Sequence, residues 1–346
     1  MKMNAGLIPP AAIPLLVLLL LLTGCSFLPQ KNLAATAAAS LIQDHGTIAV
    51  HFCPQEACEQ LTLDFIADAG ETLHCALHDL NLESLGSLLE EKAASVDVRL
   101  VMDDHYIKKA PSVPVVADSS YGLMHNKFCA VDQRKLFTGS MNPTQRDTAR
   151  NNNNLLFIES PIIARWYEQE FEELWNRERR GSNNRGTVLL DTIPIAVYFC
   201  PDDGCADKVV RELRKAQRSI HFMAFSFTHT GIANVLLTKH DAGIEVRGVF
   251  EKTQLSEYSV FEVLQYQGAD VRIDGNPTNM HHKVFIVDGR CVLTGSMNPT
   301  GGGDSRNDEN LLIICDEGIA QQFEAEFEKV WGEAVNAAES ESAADI

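Results

Sequence analysis

The sequence predicts an α/β protein of two similar halves, each a sandwich of helices around a mixed sheet, related by an internal pseudo-twofold axis with one site at the seam. A repeated string is the first ground. Met124-His125-Asn126-Lys127 opens one copy and Met280-His281-His282-Lys283 the other, 156 positions further on. After four intervening residues each His-x-Lys meets an aspartate, Asp132 and Asp288. Each copy then runs on to Thr-Gly-Ser-Met-Asn-Pro-Thr, residues 138–144 and 294–300, and the two align without a gap as far as Trp175 and Trp331. The second ground is Phe52-Cys53-Pro54-x-x-x-Cys58, which returns as Phe199-Cys200-Pro201-x-x-x-Cys205 at an offset of 147. The third is that strand-patterned runs alternate with helix-patterned ones in each half.

Taken in order, residues 1–24 read as a targeting segment and 25–46 as a tether, small and polar with an Ala-rich patch. The first half spans 47–180, opening on the apolar Ile48-Ala49-Val50. The charged, Gly-containing stretch Arg177–Arg185 reads as a linker or exposed turn. The second half spans 190–335, opening on Ile195-Ala196-Val197, and 336–346 is a small, acidic tail. Within the second half the patterns predict helices over 209–217 and 231–240 and strands over 219–228, 244–250 and 310–315. A strand pair turns at Asp288-Gly289-Arg290. Phe323, Phe327 and Trp331 recur at four-residue spacing in a closing helix, matched by Tyr167, Phe171 and Trp175, which is the stripe of a core-facing helix.

Composition is that of a globular protein, 45% hydrophobic and 22% charged. A net charge of −18 argues against a general nucleic-acid binder, because phosphate contacts dominate that affinity, though a local basic cleft stays compatible with it. Lys2 is the only charged residue of the first 24, and an apolar run ends in Leu22-Thr23-Gly24-Cys25. This resembles a lipoprotein signal peptide. The resemblance implies cleavage before Cys25, lipid on Cys25, and an exported protein anchored to a membrane of the cell envelope. In an exported chain Cys53 with Cys58 and Cys200 with Cys205 form two local disulfides most simply, with one four-cysteine zinc site as the alternative. Cys75, Cys129, Cys291 and Cys315 lie in apolar runs and read as buried small residues.

The duplicated His-x-Lys-x4-Asp, continued by Gly-Ser-x-Asn, resembles the phospholipase D superfamily over about 280 residues. The resemblance implies a phosphodiesterase needing neither metal nor cofactor. His125 and His281 are the catalytic pair, one forming a covalent phosphohistidine and the other protonating the leaving alcohol. Lys127 and Lys283 neutralise the phosphoryl oxygens, assisted by Asn142, Asn298, Ser140 and Ser296. Asp132 and Asp288 complete the catalytic motif, with structural hydrogen bonding as their expected task. In the family an acidic residue eleven positions after the Asn of Gly-Ser-x-Asn orients the histidine. Here that is Glu309 in the second half, but Asn153 in the first. Glu309 is therefore expected to pair with His281 and raise its pKa, and Asn153 to orient a neutral His125. This makes His125 the nucleophile and His281 the acid and base.

The substrate readings are a phospholipase D releasing head group from membrane phospholipid, its phosphatidyltransferase variant, an endonuclease for single-stranded DNA or RNA, and an inactive lipid-binding lipoprotein. Lipid anchoring and the acidic surface favour the first, so the expected partner is a phospholipid membrane, with nucleic acid the alternative substrate. With both half-sites in one chain, a monomer is expected.

Overall fold

The computed structural model describes residues 41–118, 122–178 and 185–335. The signal segment, Cys25, the first part of the tether and the acidic tail lie outside the described residues. The first half runs β1 (Leu41–Asp44), β2 (Thr47–Cys53), α1 (Cys58–Ala67), β3 (Thr72–Leu77), α2 (Glu83–Lys92), β4 (Asp97–Asp103), β5 (Val115–Asp118), β6 (Lys127–Val131), β7 (Lys135–Gly139), α3 (Gln145–Ala149), β8 (Asn153–Glu159) and α4 (Pro161–Asn176). The second runs β9 (Thr187–Leu190), β10 (Ile193–Cys200), α5 (Cys205–Leu213), β11 (Ser219–Ala224), α6 (Thr230–Asp241), β12 (Glu245–Phe250), α7 (Phe261–Tyr266), β13 (Asp270–Ile273), β14 (Lys283–Val287), β15 (Cys291–Gly295), α8 (Gly301–Ser305), β16 (Glu309–Cys315) and α9 (Glu317–Glu333). The helix expected over 209–217 begins four residues earlier, at Cys205, and the strand expected over 219–228 stops at Ala224.

The two sheets share one order. The first is β2-β8-β7-β6-β3-β4-β5, and β10-β16-β15-β14-β11-β12-β13 repeats it strand for strand. Both are mixed, since β3, β4 and β5 pair in parallel while β6, β7 and β8 are antiparallel. The second sheet is extended by β9 and β1. That corrects part of the tether: residues 41–44 pair in parallel with β9 instead of hanging free. Asp44 gives a reason, because its carboxylate accepts hydrogen bonds from Ser160 Oγ (2.6 Å) and Ile162 N (3.0 Å) at the start of α4. Arg185 also departs from the exposed linker expected of it. Its guanidinium lies 4.6 Å from the centre of the Phe199 ring, with the side chain buried.

The aromatic stripes of the two closing helices sink into a single apolar cluster that draws on both halves. Tyr167 and Phe171 of α4 and Phe323 and Phe327 of α9 are fully buried in it. Backbone pairing stitches the seam twice, once per copy. His125 N donates to Asp308 O (2.9 Å) and Asp308 N to Leu123 O, while His281 N donates to Asn152 O (2.8 Å) and Asn152 N to Asn279 O. Side chains add a buried polar ladder across it: Thr138 Oγ1 donates to Asn310 Oδ1, Asn310 Nδ2 to Asn126 Oδ1, and Asn154 Nδ2 to Thr294 Oγ1.

All eight cysteines after Cys25 are paired. Cys53–Cys58 and Cys200–Cys205 are the local disulfides, which removes the zinc alternative. Cys75–Cys129 and Cys291–Cys315 correct the expectation of unpaired buried residues. Cys75 on β3 sits directly opposite Cys129 on β6, and Cys291 on β15 opposite Cys315 on β16. Their contributions should differ. By the chain-entropy relation, replacing Cys75 and Cys129 with alanine, 54 residues apart, should cost about 4 kcal/mol, against about 2 kcal/mol for the 5-residue separation of Cys53 and Cys58. Thermal melting of the two double variants checks the order.

Candidate active site

Both histidines face one cleft of about 680 Å³, with Asn142 and Asn298 also in its walls. They arrive there because Met124 and Met280 are pinned just before them. Asp103 Oδ2 accepts from Met124 N (3.1 Å) and Glu251 Oε2 from Met280 N (2.7 Å). The sequence reading did not single out these two carboxylates. Asp103 ends β4 and Glu251 follows β12, each strand separated by one other from its own copy's β6 or β14, but the two stand at different offsets, so aligning the copies does not bring them together. A ring packs edge-on against each histidine, His78 against His125 (4.7 Å between centroids) and Phe225 against His281 (4.6 Å).

The lysines are buried behind the histidines. Lys127 Nζ donates to His125 O and Lys283 Nζ to His281 O, both at 2.6 Å. Burial lowers Lys127 to about 8, opposed by the Glu309 carboxylate. Burial and the neighbouring Lys127 charge hold Lys283 well below the usual lysine range. Burial, then the lysines, push both histidines well below the usual value. An anion in the cleft offsets these positive charges, so substrate binding and protonation of the site are coupled.

The pairing of the histidines corrects the sequence reading. Glu309 Oε2 lies 2.7 Å from His125 Nδ1, and Asn153 Oδ1 lies 2.9 Å from His281 Nδ1. Each half therefore braces the other half's histidine. The physical reason is the seam: Asn153 and Glu309 open β8 and β16 directly after Asn152 and Asp308, whose carbonyls accept from His281 N and His125 N of the other half. Gly139 and Gly295 set the Gly-Ser-x-Asn turn, at φ of +141° and +140°, where a Cβ would fall within 2.4 Å of a backbone oxygen of Asn154 or Asn310. Ser140 and Ser296 are also corrected. They are fully buried and do not face the cleft. Ser140 Oγ donates to Asn153 Oδ1 (2.9 Å) and accepts from Asn154 N, and Ser296 Oγ accepts from Asn310 N (2.9 Å), so they hold the braces.

Asp132 and Asp288 leave the catalytic set. Each lies beyond a five-residue strand from its lysine, about 16 Å away at roughly 3.3 Å per residue. Asp132 accepts from the amides of Gly70, Glu71 and Thr72, and Asp288 from those of Gln217, Arg218 and Ser219. That is the structural hydrogen bonding expected of them. Asp147, unremarked in the sequence, matters more. It accepts from Asn142 Nδ2 (2.8 Å) and Asn151 Nδ2 (2.6 Å) and stands 3.7 Å from His281 Nδ1. His74 and His221 do not border the cleft. They pair with Glu168 on α4 and Glu324 on α9 and stack on Phe171 and Phe327. His282 is buried 3.4 Å from Glu326 Oε1 and is a packing residue.

A family model described as "Cardiolipin synthase, PLD-like domain" matches residues 63–175 and again 209–331. The chain belongs to the phospholipase D superfamily. It is similar to a phospholipase D of Rickettsia conorii, 33% identical over 135 residues, which is 39% of this chain and 68% of that protein. It is also similar to a mitochondrial cardiolipin hydrolase of Xenopus tropicalis, 34% identical over 144 residues, 40% of this chain and 69% of that protein. Such matches span about two thirds of the relatives, for example 64% of the Rickettsia typhi phospholipase D. Among solved structures, a phosphatidylserine synthase of Haemophilus influenzae shares the fold over 84% of this chain and 87% of its own, with a TM-score of 0.62 and 14% identity. The phospholipase D family member Nuc of Salmonella typhimurium matches 41% of this chain and 97% of its own, at 27% identity and a TM-score of 0.40.

Proposed function

We propose that this phospholipase D superfamily member hydrolyses membrane phospholipid to phosphatidate and free head group. The class, a phosphodiesterase hydrolase, follows from the family and from relatives named phospholipase D and cardiolipin hydrolase. The substrate is our reading, and one observation carries it: among the described residues lining the cleft, Arg146 is the only lysine or arginine. A nuclease groove tracks successive phosphates with a run of cations and stacking surfaces. A lipid presents one scissile phosphate, and Lys127 and Lys283 suffice for it.

In the mechanism we propose, His125 Nε2 attacks phosphorus while the bond to the leaving oxygen breaks and His281 gives that oxygen its Nε2 proton. Water then yields a proton to His281, and its oxygen displaces His125 from phosphorus. The assignment keeps the expected roles on a different ground. The Glu309 carboxylate at Nδ1 stabilises the cation that a phosphorylated imidazole becomes, whereas the neutral Asn153 amide leaves the His281 proton free to move. Lys127 and Lys283 hold the nonbridging oxygens.

Two groups of the site titrate near 8. Burial raises Glu309 to about 8, so the Glu309–His125 pair sheds its extra proton as pH rises through that value and frees Nε2. Lys127, also about 8, loses its charge over the same range, and anion binding weakens. A plot of kcat/KM against pH should rise as the Glu309–His125 pair loses its proton and fall as Lys127, Lys283 and the acid His281 lose theirs.

The test is head-group release from mixed phospholipid vesicles with EDTA present. Release that persists in EDTA supports the reading. No release from any lipid, with cleavage of single-stranded DNA or RNA by the same preparation, would replace it with the endonuclease. We also propose export and lipidation at Cys25. Four disulfides support an oxidising compartment, and an N-terminal peptide still beginning at Met1 in the membrane fraction would count against it. A sedimentation mass of one chain is expected.

A further inference from the structure

The two copies share their sequence through Thr144 and Thr300 and then part: Gln145-Arg146-Asp147 stands where the second copy has Gly301-Gly302-Gly303. Arg146 is exposed and lines the cleft, and among the described residues its guanidinium makes no ion pair and no hydrogen bond. The two carboxylates in the cleft wall are engaged elsewhere, Asp79 by Lys109 Nζ (2.9 Å) and Asp147 by Asn142 and Asn151.

The seam fixes which end of the cleft Arg146 serves. The segment that carries it is laced to residues 276–281. Arg150 O accepts from Thr278 Oγ1 (2.8 Å), Asn151 Oδ1 accepts from Asn279 N (3.2 Å), and Asn152 O accepts from His281 N (2.8 Å). Asp147, next in the chain, is 3.7 Å from the His281 ring nitrogen. Arg146 therefore stands at the His281 end. Its counterpart Gly302 stands at the His125 end, where α8 runs into the Asp308–Met124 bridge. Among the described residues no lysine or arginine lines the cleft there.

We propose that Arg146 recognises a second anionic group, a phosphate or carboxylate, carried by the alcohol that departs at the His281 end. This rests on the phospholipase reading and on His281 as the acid. The departing oxygen takes its proton from His281, so the departing group lies at that end. A guanidinium free of partners among the described residues presents its planar fork to either oxyanion. The position of Arg146 on one side only makes the cleft selective for the leaving alcohol and indifferent to the diacylglycerol side, which bears no charge.

The experiment uses the full chain with two lipid pairs that each differ by one anion. Phosphatidylserine is phosphatidylethanolamine plus a carboxylate, and diphosphatidylglycerol is phosphatidylglycerol with a second phosphodiester. Vesicles are brought to equal surface charge with phosphatidate. Wild type should favour the anion-bearing member of at least one pair in kcat/KM. Arg146→Gly, which installs the residue of the other copy, should lower that ratio about tenfold, the scale of one charge-assisted hydrogen bond. Arg146→Lys should recover part of it, keeping the charge without the fork. An equal ratio in wild type and Arg146→Gly would overturn the role of Arg146 and leave the phospholipase reading intact. No head-group release by wild type from any of the four lipids would overturn both.

Discussion

His125→Asn should abolish head-group release and covalent intermediate together, a loss on the order of 10⁴-fold or more in kcat. His281→Asn should behave differently. Without its acid, the enzyme cannot expel a lipid alkoxide, and turnover of natural substrate falls as far. A nitrophenolate, however, departs without a proton. With bis(4-nitrophenyl) phosphate, His281→Asn should release one equivalent of nitrophenolate and then stop, because no base remains to activate water. The trapped phosphoryl group should then be found by mass spectrometry on His125. The same burst in His125→Asn, with label on His281, would reverse the assignment. The measurement is independent of lipid or nucleic acid, since the reagent is neither.

The second large effect is expected at Glu309. Glu309→Gln keeps a hydrogen bond to His125 Nδ1 but removes the charge, and kcat should fall on the order of 10³-fold, as when the carboxylate behind a catalytic imidazole is neutralised. The variant should also change the shape of the pH profile. In wild type the rising limb belongs to the Glu309–His125 pair, with Glu309 held up to about 8 by burial. Glutamine does not titrate, and burial keeps His125 well below its usual value. The rising limb should therefore move to lower pH while the falling limb remains. Loss of activity with an unchanged profile would make Glu309 a packing residue only. Asn153→Asp provides the converse check, since it adds a carboxylate at His281 and should slow the release of its proton.

Much of this was legible in the chain because the informative signals were local. The paired His-x-Lys strings, the sheet-and-helix alternation and the Cys-Pro-x-x-x-Cys disulfides all sit within short windows. What was misread depends on which strands become neighbours. Glu309 and Asn153 lie in register with their own copy's histidine in sequence, yet the seam turns each toward the other copy. The disulfides across strands were obscured by the repeat itself. Cys75 and Cys129 correspond to Phe222 and Phe285, whose rings lie 5.8 Å apart, and Cys291 and Cys315 correspond to Lys135 and Glu159, which face each other across β7 and β8. One position thus holds a disulfide in one half and a different contact in the other, so comparing the copies averages the signal away. The strand Leu41–Asp44 was too short to stand out from the polar stretch before it, and its place depends on β9. The break at Gln145-Arg146-Asp147 in an otherwise shared string is a local signal too, but the sequence reading did not single out Arg146.

The crossed bracing of the histidines bears on how such a chain changes over generations. A substitution at 153 or 309 is inherited with one copy but felt by the histidine of the other. Neither copy can drift toward a new chemical role alone, because the residue that would tune it belongs to its sibling. Fusion of the copies into one polypeptide removes a constraint that a pair of identical subunits would obey, in which every brace must suit both histidines at once. Once joined, glutamate could serve one histidine and asparagine the other, so the division of labour in the cleft is recorded in residues on the opposite side of it.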